Sequence, residues 1–488
     1  MIGGATHDAT LRCASRSRAS WGSIVVLLIA AAPRVWAAFE DQSVFSPEEI
    51  YEGMEPAHRF AFGWGLLAKA YRDNSHSWLF PGALGLAWKA ASAVGVHTPA
   101  GFVSVAKGGM AALSIAGVWL AMSLARRIGG ERAAILTGLL ASMCAPLVAF
   151  GSRTFPETMS VPLVVGAALL LEGKSERRAL AAGALALVAT LLRYEEGVIA
   201  AGLLVFVLGR RRASEQKAFV IGGAVVFALG QILDWATIGA PFRALLADLR
   251  VNFLSAEPWT YGKAVLFYYP DHLTSSMGVS FAIVLLGLVV AAQSRADRPA
   301  RGLIATVVAY LLLITLHAHK DLRLVLPVLP IMLAVGAVGL TRMFDGLRAG
   351  AWVTYAGGVV MAAQMAWTTH APTRADLGYG AADVVTWHSG EDYMLVTEEA
   401  AKTPDLCGII YTGNDPGWTG GYSFLHRKIP IFFDLHADHL AAANAVVAGV
   451  GDKVPSGWRR VSTNGKYALW ERQGACAAAP KDWSMVLP

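Results

Sequence analysis

The sequence predicts an all-α polytopic membrane protein of about eleven transmembrane helices, followed by a small extracytoplasmic α/β domain. Three observations carry this. The 488 residues are 55% hydrophobic and only 16% charged, with a mean hydropathy of +0.47, whereas soluble domains have about 25% charged residues. Apolar runs approaching the ~20 residues needed to cross a bilayer recur along the chain and end near Ala371. Clusters of Lys and Arg punctuate these runs at intervals that fit a positive-inside arrangement.

The expected spans, in order, are Trp21–Phe39, Gly101–Ala125, Ala133–Phe150, Thr158–Leu171, Ala179–Leu192, Val198–Leu208, Ala218–Ala236, Thr274–Gln293, Gly302–Leu316, Leu324–Leu340 and Ala351–Thr369. The first is too long for the apolar core of a cleavable signal and carries Arg34, so it reads as a retained span. Basic clusters lie at Arg12–Arg18, Arg126–Arg132, Lys174–Arg178, Arg210–Lys217, Arg295–Arg301 and Arg342–Arg348. If each is cytoplasmic, the run Leu79–Val96 does not cross and lies at the interface or in a re-entrant position. Residues 1–370 then form the membrane domain, with 40–100 as its first external loop, and 371–488 form an external domain.

In that external domain Lys428–Phe433 reads as a strand and Leu440–Val447 as a short helix. Trp458–Val461 and Tyr467–Trp470 flank Asn464-Gly465, a hairpin signal. Cys407 and Cys476 both fall here, and either a disulfide or two free thiols fits the sequence. The segment Gly420–His426 stands out without an evident chemistry. The net charge of +6 sits largely in the short loops, so it reports orientation and gives no sign of a nucleic-acid partner. No internal repeat of the inverted-transporter kind is visible.

The external loops concentrate polar chemistry. The first carries seven carboxylates before Trp78. Ser46-Pro47-Glu48-Glu49 is a capping box with proline at the first helical position, and it starts a helix reaching about Phe62. On an α-helix Glu48, Glu52, Glu55 and Arg59 share one stripe facing water, opposite Ile50, Met54, Ala57 and Ala61. First-turn acids and a Glu55–Arg59 pair also occur for helix stability alone. Three further loops, Ser152–Thr158, Arg193–Gly197 and His317–Arg323, place cations on the outer side against the positive-inside rule. Their convergence would suit an anionic, membrane-anchored substrate such as a lipid phosphate.

The blocks Ser46-Pro47-Glu48-Glu49, Glu55-Pro56-Ala57-His58-Arg59, Phe62-Gly63-Trp64-Gly65 and His76-Ser77-Trp78-Leu79-Phe80-Pro81-Gly82 resemble the first lumenal loop of the glycosyltransferase family 22 mannosyltransferases. Ser152–Thr158, then Asp234, Asn252-Phe253 and Tyr261-Gly262, then His319-Lys320-Asp321-Leu322-Arg323 continue the resemblance in order, from about Arg34 to Pro330. It implies the GT-C fold and a polyprenyl- or dolichyl-phosphate sugar donor, with mannose transferred to a lipid-linked or surface glycan and inversion at the anomeric carbon. Glu48 takes the place of the family's Asp and is the expected general base; Glu49 positions the acceptor or substitutes for it. His319, Lys320 and Arg323, with Arg153, are the expected donor-phosphate residues. Glu55, His58, Arg59, Trp78, Glu157 and Asp234 are expected to shape the acceptor side. No cofactor is implied; the carboxylates form no evident metal set, although a divalent metal is not excluded by the resemblance. Two departures stand out: Glu replaces Asp at Glu48, and His76 occupies the family's Arg position. They leave open a non-catalytic assembly factor, and charges within a membrane protein leave open a lipid or glycan transporter. Richness in Ala, Gly and Arg leans towards a bacterial inner membrane with an external site, the endoplasmic reticulum being the other setting.

Overall fold

The computed structural model describes residues 20–251, 265–294, 298–317, 320–370, 373, 376–377, 386–412, 418–481 and 483–485. Helices occupy every apolar stretch expected to span. They begin with α1 (Trp21–Glu40), followed by three helices of the first external loop, α2 (Glu55–Phe62), α3 (Lys69–Arg72) and α4 (Leu79–Ala93). The bundle continues with α5 (Pro99–Gly129), α6 (Glu131–Met143), α7 (Ala145–Ala149), α8 (Pro156–Leu171), α9 (Glu176–Leu192), α10 (Gly197–Leu208) and α11 (Ala213–Ile238). It closes with α12 (Arg243–Leu249), α13 (Tyr268–Met277), α14 (Val279–Gln293), α15 (Arg298–Leu316), α16 (Leu329–Gly346) and α17 (Ala351–His370).

Among the described residues, five helices are long and apolar enough for a full crossing: α1, α5, α11, α15 and α16. A sixth arises if α13 and α14, bent by 115° at Gly278, count as one. The remaining expected spans are shorter helices, such as the 16-residue α8 and the 12-residue α10. These lie inside the bundle, where neighbouring helices rather than lipid cover much of their surface.

The first loop folds back on the bundle. Its helix starts at Pro47 as expected, but Glu49–Met54 form a π-helical turn before α2. A π-turn holds more residues than an α-turn, so it rotates everything after it. The expected stripe is broken as a result: Glu48 and Glu52 keep side-chain exposures of 35% and 24%, while Glu55 is fully buried. The helices α2 and α4 pack closely because Gly85 lacks a side chain; a Cβ there would meet the Ala57 carbonyl at 2.8 Å.

A buried charge network ties this loop down. Asp41, Glu49, Lys107 and Arg153 are all 0% exposed. Arg153 pairs with Asp41 at 2.7 Å and Glu49 at 3.5 Å, and donates to the Ser43 carbonyl and hydroxyl at 2.5 and 2.8 Å. Lys107, projecting from α5, donates to the carbonyls of Asp41 and Ser43 at 2.5 and 2.9 Å. Glu49 accepts from the backbone N–H of Phe45 at 2.9 Å and of Thr154 at 3.3 Å.

The C-terminal part contains α18 (Glu391–Ala401), α19 (Gly421–Leu425), α20 (Ala437–Ala442) and five strands: β1 (Ile409–Tyr411), β2 (Ile431–Phe432), β3 (Ala445–Gly449), β4 (Arg459–Asn464) and β5 (Tyr467–Glu471). They form one mixed sheet in the order β2-β1-β3-β5-β4, with β1 parallel to β2 and β3 and the other pairs antiparallel. The expected hairpin is β4–β5, where Asn464 pairs Tyr467 and Gly465, at φ 51°, opens the turn. The helix expected over Leu440–Val447 is corrected: α20 ends at Ala442 and the rest enters the central strand β3. The run Ala445–Ala448 is buried, and β-branched residues in a short, doubly covered apolar run favour a strand. Cys407 and Cys476 form a disulfide.

One apolar core spans the first loop and this domain, joining Ile50, Met54 and Trp88 to Tyr393, Tyr422 and Phe424.

Removing one partner of a buried ion pair leaves an uncompensated charge and costs about 3–5 kcal/mol. The substitution Arg153→Ala is therefore expected to lower the melting temperature sharply, with Asp41 and Glu49 stranded. A melting temperature within a degree or two of the parent would show that the network does not hold the loop.

Candidate active site

The adjacent acids Glu48 and Glu49 have opposite fates. Glu49 turns inward to Arg153 and two backbone amides, whereas Glu48 stays partly exposed, with its Oε1 3.9 Å from Arg323 Nη2. Arg323 is held by several groups: Asp321 at 2.8 Å, Glu157 at 3.6 Å, and the Phe155 ring 4.6 Å below its guanidinium carbon. Asp321 fixes the local turn by accepting from the Arg323 backbone N–H at 2.9 Å. Its neighbour Lys320 is buried and donates to the His317 carbonyl at 2.8 Å.

Glu157 extends the chain of charges to the next loop. Arg193 Nε lies 3.3 Å from Glu157 Oε1 and 3.7 Å from Glu195. Burial by itself would lower the basicity of Arg193, but the carboxylates of Glu157, Glu195 and Glu52 raise it above its ordinary value. Glu196 turns the other way and accepts from Ser160 at 2.7 Å; burial holds its carboxyl well above the usual range. Three of the loops singled out by their outward cations thus meet the first loop through Glu48, Glu157 and Arg193.

Beside them lies a small cleft lined by Glu52, His76, Arg193, Tyr194, Glu195 and Asp248 among others. His76 Nε2 is 3.5 Å from Glu52. Burial favours the neutral imidazole, but Glu52's charge and hydrogen bond outweigh it and raise His76 above its ordinary value. Burial also opposes ionisation of Glu52, yet His76, with Arg323 and Arg193, brings it down to about 2. The residue standing at the family's arginine position is therefore an imidazole whose protonated form is favoured by an acid partner.

The other expected residues divide between two places. Trp78 packs its ring 5.1 Å from Tyr71 at the head of α4, and Asp234 accepts from Ser77 at 3.1 Å, so each touches a residue that lines the cleft without lining it itself. Glu55, His58 and Arg59 instead form the seat of the C-terminal domain. Glu55 accepts from the Ser423 N–H and hydroxyl at 2.6 Å each, and from Leu66 N–H at 2.8 Å. Burial pushes the Glu55 carboxyl up to about 7 against these hydrogen bonds. Gly421, at φ 56°, passes so close that a Cβ would lie 2.6 Å from the Glu55 carboxyl carbon. His58 bonds the Trp64 carbonyl at 2.8 Å through Nδ1, which must carry the proton; its Nε2 then accepts from His426 Nδ1 at 2.9 Å. Arg59 donates to the Gly65 carbonyl at 3.0 Å. The segment Gly420–His426 is thus a docking turn. His319, Asn252, Phe253, Tyr261 and Gly262 lie outside the described residues.

Sequence reasoning passed over Asp41, Lys107 and Arg193 as site residues. Lys107 had a usable signal, being a lone cation within an apolar span. Among the described residues Asp41, His388 and Glu391 bring ligand-type atoms within 4.8 Å of one another. Asp41 is already bonded there to Arg153 and to the N–H groups of Ser43 and His388.

The Alg9-like mannosyltransferase family model matches residues 25–378, nearly three quarters of the chain. The chain belongs to that family. It is a membrane mannosyltransferase. Curated relatives include GPI mannosyltransferase 3 of Yarrowia lipolytica, 27% identical over 84% of this chain and 76% of that protein. They also include GPI alpha-1,2-mannosyltransferase 3 of Homo sapiens, 23% identical over 66% of this chain and 58% of that one. The chain thus spans under two thirds of the human relative's length. Among solved structures, ArnT from Cupriavidus metallidurans bound to undecaprenyl phosphate superposes with a TM-score of 0.64 at 12% identity, over 94% of this chain and 99% of that one. The archaeal oligosaccharyltransferase AglB from Archaeoglobus fulgidus, in complex with an inhibitory peptide and a dolichol-phosphate, gives 0.53 at 12% identity, over 88% and 69%. These likenesses establish the GT-C fold.

The His76–Glu52 pair gives a pH signature. Because His76 is raised above its ordinary 6.5, its stabilisation is fully present below about 6.5 and is lost as pH rises through the higher folded value. His76→Gln should cost about 1 kcal/mol near pH 6 and converge with the parent near pH 9. Melting curves across that range check this; a difference that grows with pH would reverse the sign and refute the pairing.

Proposed function

We propose that this mannosyltransferase takes its sugar from a polyprenyl or dolichyl phosphate and transfers it, with inversion, to a lipid-linked or surface glycan. The lipids bound in the ArnT and AglB structures, undecaprenyl phosphate and a dolichol-phosphate, support a lipid-phosphate donor. The relatives' names point to a GPI-type glycolipid acceptor. A chain that crosses about eleven times, with its C-terminal domain outside, puts acceptor and donor on one membrane face.

One observation carries the mechanism: of the two adjacent acids, only Glu48 is accessible, its side chain 35% exposed beside Arg323 while Glu49 is fully buried. Glu48 takes the proton of the acceptor hydroxyl as that oxygen attacks the anomeric carbon. The bond from that carbon to the phosphate oxygen breaks, and its electron pair leaves with the polyprenyl phosphate. The growing charge needs fixed cations more than a proton donor. Lys320 and Arg323 supply these at the start of the span that continues into α16, and His319 belongs to the same block. Arg153, behind the loop, and Glu49, bound to it, keep Glu48 in place and do not reach substrate.

Glu48→Gln should cut turnover by ~10²–10⁴-fold while donor binding persists. Purified protein offered a panel of polyprenyl-phosphate sugars checks this; near-full turnover by the variant would remove Glu48 as base.

Lys320→Ala and Arg323→Ala should each weaken donor binding by about ten- to a hundredfold, or ~1.5–3 kcal/mol, the value of a charge-assisted hydrogen bond. If both variants melt early while the folded fraction binds donor normally, the cations are structural.

A further inference from the structure

The sequence groups Glu157 with the acceptor, but its side chain is only 1% exposed. It follows Pro156 at the start of α8, where an acid often serves the helix end. Neither of its oxygens accepts a hydrogen bond among the described residues, so it caps no amide of α8. What it meets is charge: its Oε1 lies 3.3 Å from Arg193 Nε and 3.6 Å from Arg323 Nε. Burying a carboxylate is unfavourable unless cations stand beside it. Here they come from two other loops, one between α9 and α10 and one before α16.

A guanidinium is planar, with an Nε edge and an Nη edge. The Ser152–Thr158 loop meets Arg323 on both its face and its Nε edge. Phe155 lies under the plane, 4.6 Å from the guanidinium carbon. Glu157 stands at the Nε edge, where Asp321 also lies at 2.8 Å. With that edge turned inward, Nη2 is aimed at Glu48, 3.9 Å away. Asp321 is two residues from Arg323 and moves with it. Glu157 comes from a loop anchored separately, since Thr154 donates its N–H to the Glu49 carboxylate at 3.3 Å and its hydroxyl to the Glu49 carbonyl at 3.1 Å. Phe155 and Glu157 therefore set Arg323 relative to Glu48, and of the two only Glu157 acts through charge.

We infer that Glu157 is a positioning residue for sugar transfer: it acts through Arg323, keeping the Nε edge inward and the Nη edge on the donor's phosphate beside Glu48. This rests on the reading of Arg323 as a donor-phosphate cation.

Four full-length proteins test it: the parent, Glu157→Gln, Arg323→Ala and the double variant, each titrated with polyprenyl phosphate and assayed for acceptor KM. Glu157→Gln keeps the size of the side chain and removes its charge. It should weaken polyprenyl phosphate binding by about tenfold and leave acceptor KM unchanged. In the Arg323→Ala background the same substitution should change binding by less than about twofold, because the guanidinium it acts through is gone. A merely structural acid would weaken binding by the same factor in both backgrounds, and that result overturns the inference. Unchanged binding in Glu157→Gln overturns it too, and a raised acceptor KM would then place the acid on the acceptor side. If Arg323→Ala itself binds polyprenyl phosphate like the parent, the phosphate reading of Arg323 falls first and the role of Glu157 with it. Glu157→Asp carries the test if Glu157→Gln does not fold. It keeps the charge but withdraws it by about 1.5 Å, and should show a smaller loss with the same dependence on Arg323.

Discussion

The geometry of the candidate site depends on four charged side chains from which water is excluded. Asp41, Glu49, Lys107 and Arg153 come from the end of α1, the π-turn, the N-terminal third of α5 and the loop before α8. Separating any one of them from water costs several kcal/mol, and only its neighbours offset this. Such a network is indifferent as a source of net stability and strict as a source of geometry. It has few low-energy arrangements, and in this one Glu49 is drawn inward. Because successive side chains on a helical turn diverge, an inward Glu49 leaves Glu48 outward, beside Arg323. The identity of the accessible acid is decided by a contact on the far side of the loop.

The C-terminal domain enters the same argument. It shares an apolar core with the first loop, and its docking turn is bonded to Glu55 and His58. These residues belong to the block that resembles the family's first-loop motif, yet their side chains point away from the cleft. Glu55 is raised to about 7 by burial, so the folded state holds its proton more tightly than an unfolded chain does. The stability from that bound proton is fully present below about 4.5 and is lost as pH rises to about 7. Short bonds to Ser423 compensate the ionised form and keep the domain seated. Disulfide Cys407–Cys476 closes the domain on its own side.

How much of this was legible in the sequence follows from how local each signal is. Helix positions were readable because an apolar run declares itself residue by residue, and the Asn464-Gly465 hairpin because a tight turn needs a residue that tolerates positive φ. The loops that carry cations outward were readable from charge alone, and they do converge through Arg193 and Arg323. Glu55 was misplaced because a π-turn leaves no mark in a pattern read at an α-helical period. The strand Ala445–Gly449 was taken for helix because Ala-rich runs suit both and only burial on two faces decides between them. The inward turn of Glu49 was hidden because Arg153 lies more than a hundred residues away in sequence.

The two departures from the family pattern are linked by position. An arginine at residue 76 would present a permanent charge on a long arm; His76 is shorter, and Glu52, 3.5 Å away, favours its charged form. Glu48 has the opposite change, one methylene and about 1.5 Å more reach than aspartate. Both departures sit on a frame that is retained: His76 faces Glu52, Glu48 stands beside Arg323, and the loop between them is held to the bundle through Glu49 and Arg153.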